Sequence, residues 1–345
     1  LPITAPEFLV SNRAATRAEE SVMNMHAAAL AKAHRFDDRT SAFASDVIEG
    51  LTQQPKRLSP KYFYDAAGSE LFEQITLLPE YYPTRTELGI LRDRAAEISA
   101  IIPKGAALVE FGAGSTTKVR LLLNECEFGA YVPVDISGDF LNAQAKALRN
   151  DFPGLDVYPV TADFTAPFVL PAAVQAMPKV GFFPGSTLGN FEPHEACGFL
   201  RTAREILGPG AQMIIGVDLE KDERVLVDAY NDAAGVTARF NLNVLVRINR
   251  DLGGNFDLSA FTHRAIYNRE RHRIEMHLIS RKAQSVRILG RSFAFRAGET
   301  IHTESSYKYS LDRFTSLARG SGWKPTASWT DAEGMFSVHA LVAEG

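Results

Sequence analysis

Ala107-Leu108-Val109-Glu110-Phe111-Gly112-Ala113-Gly114-Ser115 is an apolar run that carries one acid and ends in two glycines spaced by one residue. Consecutive apolar residues suit a parallel strand buried on both faces. The glycines suit a turn where the polar part of a ligand approaches backbone that any Cβ would block. The stretch therefore reads as a strand feeding a cofactor loop. A dinucleotide fingerprint asks for a third glycine three positions after Gly114, where this chain has Thr117, so a nicotinamide oxidoreductase is disfavoured. A glycine-rich strand-to-helix turn in any α/β protein is the other reading of these nine residues, and the flanking sequence decides.

Downstream, apolar runs at 130–134, 156–160, 179–183 and 212–217 alternate with helical patterns at 118–123, 141–150 and 195–207. That is the rhythm of a parallel sheet covered on both faces. Upstream, Phe43, Val47, Ile48 and Leu51 recur at helical spacing within 37–51. An aromatic stretch, 58–83, punctuated by Pro and Gly, suits a pocket lid. Thr84 and Glu87 read as a capping box for one helix carrying Leu88, Leu91, Ala95, Ile98 and Ile102.

From 222 to about 302 the pattern changes to helices near 224–234 and 237–249 and strands near 256–267, 273–280 and 284–289. From Ser310 a helix and two strands, 324–329 and 336–342, return to the first style. A second unit therefore interrupts the first. The expected division is 86–220 plus 309–345 for the cofactor domain and 37–85 plus 221–308 for the substrate-binding domain, with 1–36 an N-terminal extension of unknown role.

The 345 residues leave room for both units. A net charge of -4 offers no general attraction to nucleic acid or anionic lipid. Small molecules are the expected partners, with no nucleic acid and no membrane. Cys126 and Cys197 are too few for a disulfide framework and have no neighbouring Cys or His at zinc spacing. No metal is expected, and a cytoplasmic monomer is the simplest reading. No stretch has the unbroken apolar length of a membrane span, and no basic segment followed by an apolar one opens the chain, so neither export nor anchoring is expected.

The residues that carry chemistry fall at strand ends, where open parallel sheets bind ligands. Asp135 closes the second strand, suited to accept both hydroxyls of a ribose or to cap the next helix. Asp163 and Phe164 close the third, an acid for an adenine amino group and a ring to pack on the base. Lys118, one turn into the first helix, reads equally as a carboxylate ligand or an exposed lysine. The fourth strand runs into Gly185-Ser-Thr-Leu-Gly-Asn190, where Asn190 could orient an amine and a carboxylate together or could cap a turn. Tyr230 in a helix and Glu304-Ser305-Ser306 before Tyr307 are less readable, and by local pattern all could be surface residues.

Glu110-x-Gly112-x-Gly114 is similar to the first motif of S-adenosyl-L-methionine (SAM) methyltransferases. With the less generic Lys61-Tyr-Phe-Tyr-Asp-Ala-Ala-Gly-Ser69, Pro79-Glu-Tyr-Tyr-Pro-Thr-Arg-Thr-Glu87, Gly185–Asn190 and Ala229-Tyr-Asn-Asp-Ala-Ala-Gly-Val-Thr237, the chain from about Asp37 onward resembles the histidine-specific SAM-dependent methyltransferases that make hercynine for ergothioneine.

The resemblance implies a Rossmann-like domain with a mostly parallel seven-stranded sheet, interrupted by a smaller α+β domain. It implies transfer of three methyl groups from SAM to the α-amine of L-histidine, with S-adenosyl-L-homocysteine as co-product. Gly112, Lys118, Asp135, Asp163 and Phe164 would hold the cofactor, with Tyr81 beside the reacting centre. Asn190 and Tyr230 would take the α-carboxylate, and Gly185 and Thr187 would lie near the amine. Tyr64, Glu304 and Ser306 would bond the imidazole between apolar walls of Phe72 and Met276. Asn190, Tyr230 and Tyr64 would be the catalytic group. Ser305 departs from the family's pattern, which has valine there. A relative acting on tryptophan or a prenylated tryptophan is the alternative, disfavoured by Glu304, because an indole has no second nitrogen. A non-catalytic SAM-binding protein is the further one.

Overall fold

The structure, a computed structural model, describes residues 41–345. The extension 1–36 and the start of the helix expected from Asp37 lie outside the described residues. A helical stretch over 41–52 (α1) leads to a short strand, Lys56–Arg57 (β1), a 3-10 turn, Pro60–Phe63, and helix Ala66–Thr76 (α2). Helices Tyr82–Asp93 (α3) and Ala95–Ile101 (α4) meet at Arg94 where one helix was expected. The expected capping box is not formed. With Pro83 in its first turn, α3 starts at Tyr82, and Glu87, 1% exposed, turns into the core.

Strand Ala107–Phe111 (β2) is buried at every position. It heads the alternation Thr117–Glu125 (α5), Ala130–Asp135 (β3), Gly138–Asp151 (α6), Asp156–Val157 (β4), Val160–Thr161 (β5), Lys179–Phe183 (β6), Pro193–Leu207 (α7) and Gln212–Asp218 (β7). The chain then builds Glu223–Asp228 (α8), Val236–Leu252 (α9), Phe261–Asn268 (β8), Arg273–Ser280 (β9), Gln284–Ile288 (β10), Arg291–Phe295 (β11) and Thr300–Tyr307 (β12). It returns as Leu311–Gly320 (α10), Trp323–Thr330 (β13) and Phe336–Ala343 (β14).

The large sheet runs β13-β14-β7-β6-β2-β3-β4, with β5 also on β3. Pairing is parallel from β7 to β4 and antiparallel at β13 and β14. Among the described residues the sheet has eight strands where seven were expected, because 156–160 is not one strand. Pro159, between β4 and β5, has no N–H to give a ladder, and the two short pieces pair with β3 separately.

A smaller sheet runs β1-β12-β9-β8, beside a separate β10–β11 hairpin. Helix α8 stops short of the expected 234, because the Asp232 carboxylate accepts the Val236 and Thr237 N–H groups at 2.8 Å and so starts α9 instead. Strand β8 starts at Phe261, after a 3-10 turn, Leu258–Ala260, capped by Asp257. Val47, Phe63, Val244 and Leu278, each 0% exposed, pack this sheet against α1 and α9 in one core, while Val109, Val132, Ile215 and Leu341 belong to another on the large sheet. The chain leaves the large sheet at Asp218 and re-enters it at Tyr309, and there Leu219 and Tyr309 form a parallel bridge. The Tyr309 N–H donates to the Asp218 carbonyl at 3.0 Å.

Glu110, 2% exposed in β2, accepts the Tyr131 hydroxyl. Burial pushes its carboxyl up to about 8, against the opposing pull of that hydrogen bond. The folded chain therefore keeps a proton that the unfolded chain releases near pH 4.3 (about the free glutamate value), so stability falls as pH rises from there to about 8 and is level above. Urea denaturation across this range should give a wild-type loss, relative to Glu110→Gln, with a slope of at most about 1.4 kcal/mol per pH unit. Parallel curves for the two proteins would mean that Glu110 is ionised in the fold.

Candidate active site

The strand ends carry the expected cofactor residues. Gly112 takes φ +76°, and a Cβ there would meet the Phe164 ring at 3.3 Å. Its N–H and that of Ala113 donate to the Val134 carbonyl at 2.9 and 3.1 Å, folding the glycine turn back over β3. Asp135 closes β3 and accepts the Ser137 N–H at 2.7 Å ahead of α6. Asp163, just past β5, accepts the Thr165 N–H at 2.9 Å. The Phe164 ring packs edge-on to Phe183 and Phe199, with centroids 5.7 and 5.9 Å away. A turn open only to glycine, beside carboxylates at two neighbouring strand ends and an aromatic ring, fits a nucleoside cofactor.

Lys118 is neither solvated nor isolated. It is 15% exposed, and its Nζ lies 2.6 Å from Glu87 Oε2. Both Glu87 oxygens accept the Gly185 N–H, at 2.9 and 3.0 Å. Room for the carboxylate comes from Gly216 in β7, where a Cβ would lie 2.0 Å from Glu87 Oε1. One side chain of α3 thus joins α5 to the loop after β6.

A pocket opens beside that loop, and every expected substrate residue lines it. Gly185, Thr187 and Asn190 come from the loop after β6, Tyr64 and Phe72 from the N-terminal aromatic stretch, Tyr230 from the turn after α8, and Met276, Glu304 and Ser306 from β9 and β12. Tyr81 lines it too. The rings of Tyr64, Phe72, Tyr81 and Tyr230 form a chain of edge contacts at 5.6, 6.2 and 6.2 Å. Thr237 and Phe240 of α9 also line the wall; the sequence reading missed both, because on a helix buried along most of its length nothing local marks them.

The surface placement that local pattern left open for Tyr230 and 304–306 does not hold. Tyr230 and Glu304 are 8% exposed and Ser306 3%, and Tyr230 follows α8 rather than lying in it. Ser305 also is buried, with its hydroxyl 3.2 Å from His302 Nε2. A bulge between His302 and Glu304 sets Glu304 against Met276 in β9 while His302 pairs with His277. Burial pushes the Glu304 carboxyl up to about 7, with Lys308 pulling the other way. Burial also holds the Tyr64, Tyr81 and Tyr230 phenols well above their ordinary range, as protonated hydroxyls.

Behind the pocket lies a charged cluster that the sequence reading missed. Asp218, at the end of β7, accepts from Tyr82 Oη at 2.8 Å and pairs with Lys221 at 2.6 Å and Lys308 at 2.7 Å. Its N–H donates to Ser186 Oγ at 2.9 Å, holding a residue at φ +56° in the loop after β6.

The family described as "Histidine-specific methyltransferase, SAM-dependent" matches residues 43–343. The chain is 43% identical to the histidine N-alpha-methyltransferase of Mycolicibacterium smegmatis, covering 89% of this chain and 96% of that protein. It is 40% identical to the protein of the same name from Mycobacterium tuberculosis, covering 86% and 94%. Ergothioneine biosynthesis protein 1 of Neurospora crassa is 30% identical over 80% of this chain and 32% of its own length.

Removing the Glu87 carboxylate leaves the Lys118 ammonium and the Gly185 N–H without their partner. Glu87→Ala should lower unfolding free energy by about 3–5 kcal/mol, the scale for breaking a buried pair from one side. Chemical denaturation measures it, and a loss within about 0.5 kcal/mol, the scale of an ordinary surface change, would refute the coupling.

Proposed function

This chain belongs to the histidine-specific, SAM-dependent methyltransferases, and from that premise we propose that its pocket takes L-histidine through three α-amine methylations to hercynine, a step of ergothioneine biosynthesis. The observation that carries this reading is the gathering of Tyr64, Asn190, Tyr230, Glu304 and Ser306 from distant stretches into one buried pocket. Asn190 and Tyr230 take the α-carboxylate, Gly185 and Thr187 border the amine, and Glu304 with Ser306 faces one imidazole nitrogen while Tyr64 faces the other. Phe72 and Met276 are the apolar walls.

Bound SAM supplies a methyl group on a positively charged sulfur. Gly112, Lys118, Asp135, Asp163 and Phe164 would hold it, with Tyr81 beside the reacting centre. An ammonium is repelled by that charge and has no lone pair, so the amine reacts neutral. Each round releases a proton until the trimethylated nitrogen has no lone pair left, and reaction stops. The protein's main contribution is alignment, worth several kcal/mol of barrier, and no residue is assigned as an obligatory base. Residues 37–85 and 221–308 serve as the substrate-binding part, and 86–220 with 309–345 as the cofactor part. We propose that the enzyme works as a cytoplasmic monomer, since one chain supplies every pocket residue named; among the described residues no helix is long and apolar enough to cross a membrane.

Asp135→Ala should weaken S-adenosylhomocysteine binding by about 1.5–3 kcal/mol, the scale of a charged hydrogen bond, and unchanged affinity by calorimetry with the fold intact would remove Asp135 from the ribose. Methylation assays with histidine and tryptophan test the substrate. Glu304→Ala should cost histidine about 2–4 kcal/mol in kcat/KM and tryptophan far less, because an imidazole N–H loses its partner whereas an indole gains room. Competition kinetics that leave the ratio of the two specificity constants unmoved would mean that another residue reads the side chain.

A further inference from the structure

Lys308 is 0% exposed, and each of its donors is committed directly behind the pocket. Its Nζ lies 2.7 Å from Asp218 Oδ2, 2.8 Å from Ser306 Oγ and 3.1 Å from Tyr230 Oη. The Tyr230 and Ser306 hydroxyls are also hydrogen-bonded to each other, at 2.8 Å. An ammonium donates three hydrogens and accepts none, so Lys308 occupies one lone pair on each hydroxyl and never takes a proton from either.

We propose that Lys308 is a positioning residue: by donating to both hydroxyls it confines the Tyr230 and Ser306 protons to two arrangements, of which a bound carboxylate takes the one where Tyr230 meets the substrate as a donor and Ser306 as an acceptor. This rests on the histidine reading of the pocket.

The two hydroxyls hold two protons, and their mutual bond uses one. If Tyr230 donates to Ser306, its oxygen turns only a lone pair to the substrate, which repels a carboxylate. If Ser306 donates to Tyr230, the Tyr230 proton is free for the carboxylate and Ser306 keeps one lone pair for an imidazole N–H. A bound α-carboxylate selects the second arrangement. Ser306 and Glu304 then both accept on the N–H side of a neutral ring, and the Tyr64 hydroxyl donates to the nitrogen that carries the lone pair. Charge supports the same polarity. Lys221 and Lys308 flank Asp218, which leaves one positive charge behind the carboxylate end, while Glu304 lines the pocket on the imidazole side. Tyr82, the third group on the Asp218 carboxylate, is neutral.

Histamine, which is histidine without its carboxylate, separates this role from mere support. With S-adenosylhomocysteine present, calorimetry on Lys308→Met should show histidine affinity reduced about 10- to 100-fold, the range for a lost hydrogen bond to a charged group. Histamine and cofactor affinities should stay within about threefold, inside the usual context spread for a single interaction. Tyr230→Phe should remove the same preference, and the double variant should lose no more than either alone. Equal losses for histidine and histamine, or additive losses in the double variant, overturn the proposal.

If Lys308→Met does not fold, Ser306→Ala decides. Tyr230 still receives from Lys308 and still donates to the carboxylate, so the histidine-to-histamine affinity ratio should hold although both bind more weakly; a collapsed ratio overturns the proton direction. A wild-type protein that methylates no histidine at all would instead refute the substrate reading itself.

Discussion

Asp218 and Lys308 form an ion pair with almost no exposure, 1% and 0%, at the place where the chain leaves the large sheet and comes back to it. Two charges taken out of water pay several kcal/mol each, repaid only when every remaining lone pair and proton is satisfied. Here Tyr82, Lys221, Ser306 and Tyr230 provide that satisfaction. The pair cannot be kept in part. Its geometry ties the end of β7, whose Asp218 N–H holds the loop after β6, to the end of β12, which carries Glu304 and Ser306.

Glu87 does the corresponding work at α5. Through Lys118 and the Gly185 N–H it links α5 to the loop after β6. The carboxylate fits because position 216 has no side chain. Two buried networks therefore meet at the loop after β6, one through Gly185 and one through Ser186, whose hydroxyl accepts the Asp218 N–H. A loop pinned at two adjacent residues is preorganised, which is what a reaction limited by alignment requires.

The sheet was legible from the alternation of apolar runs and helical patterns, and the strand-end residues followed from where such sheets bind ligands. The substrate side was read through the resemblance rather than through local pattern, and the reasons are physical. Glu87 stands three residues after a threonine, which mimics a capping box, but Pro83 had already set the start of the helix. Glu304 and Ser306 look solvated because their partners come from β9 and from beyond α8, far off in sequence. Lys308 shares their alternation at every second position, a signal that could have grouped it with them. The same rule would put His302 there too, and the bulge after it sends His302 to pair with His277 instead. A period-two reading is valid only on one side of such a bulge.

The bridge between Leu219 and Tyr309 carries a consequence for descent. A long segment whose two ends touch is, to the sheet that hosts it, a loop, and the entropy of closing a loop grows only slowly with its length. Its contents can be lengthened, shortened or rewritten while the host sheet keeps its strand order. Chains built this way can rewrite the pocket wall that this segment supplies by exchanging one contiguous piece of gene, while Tyr64 and Phe72, which precede the sheet, stay behind.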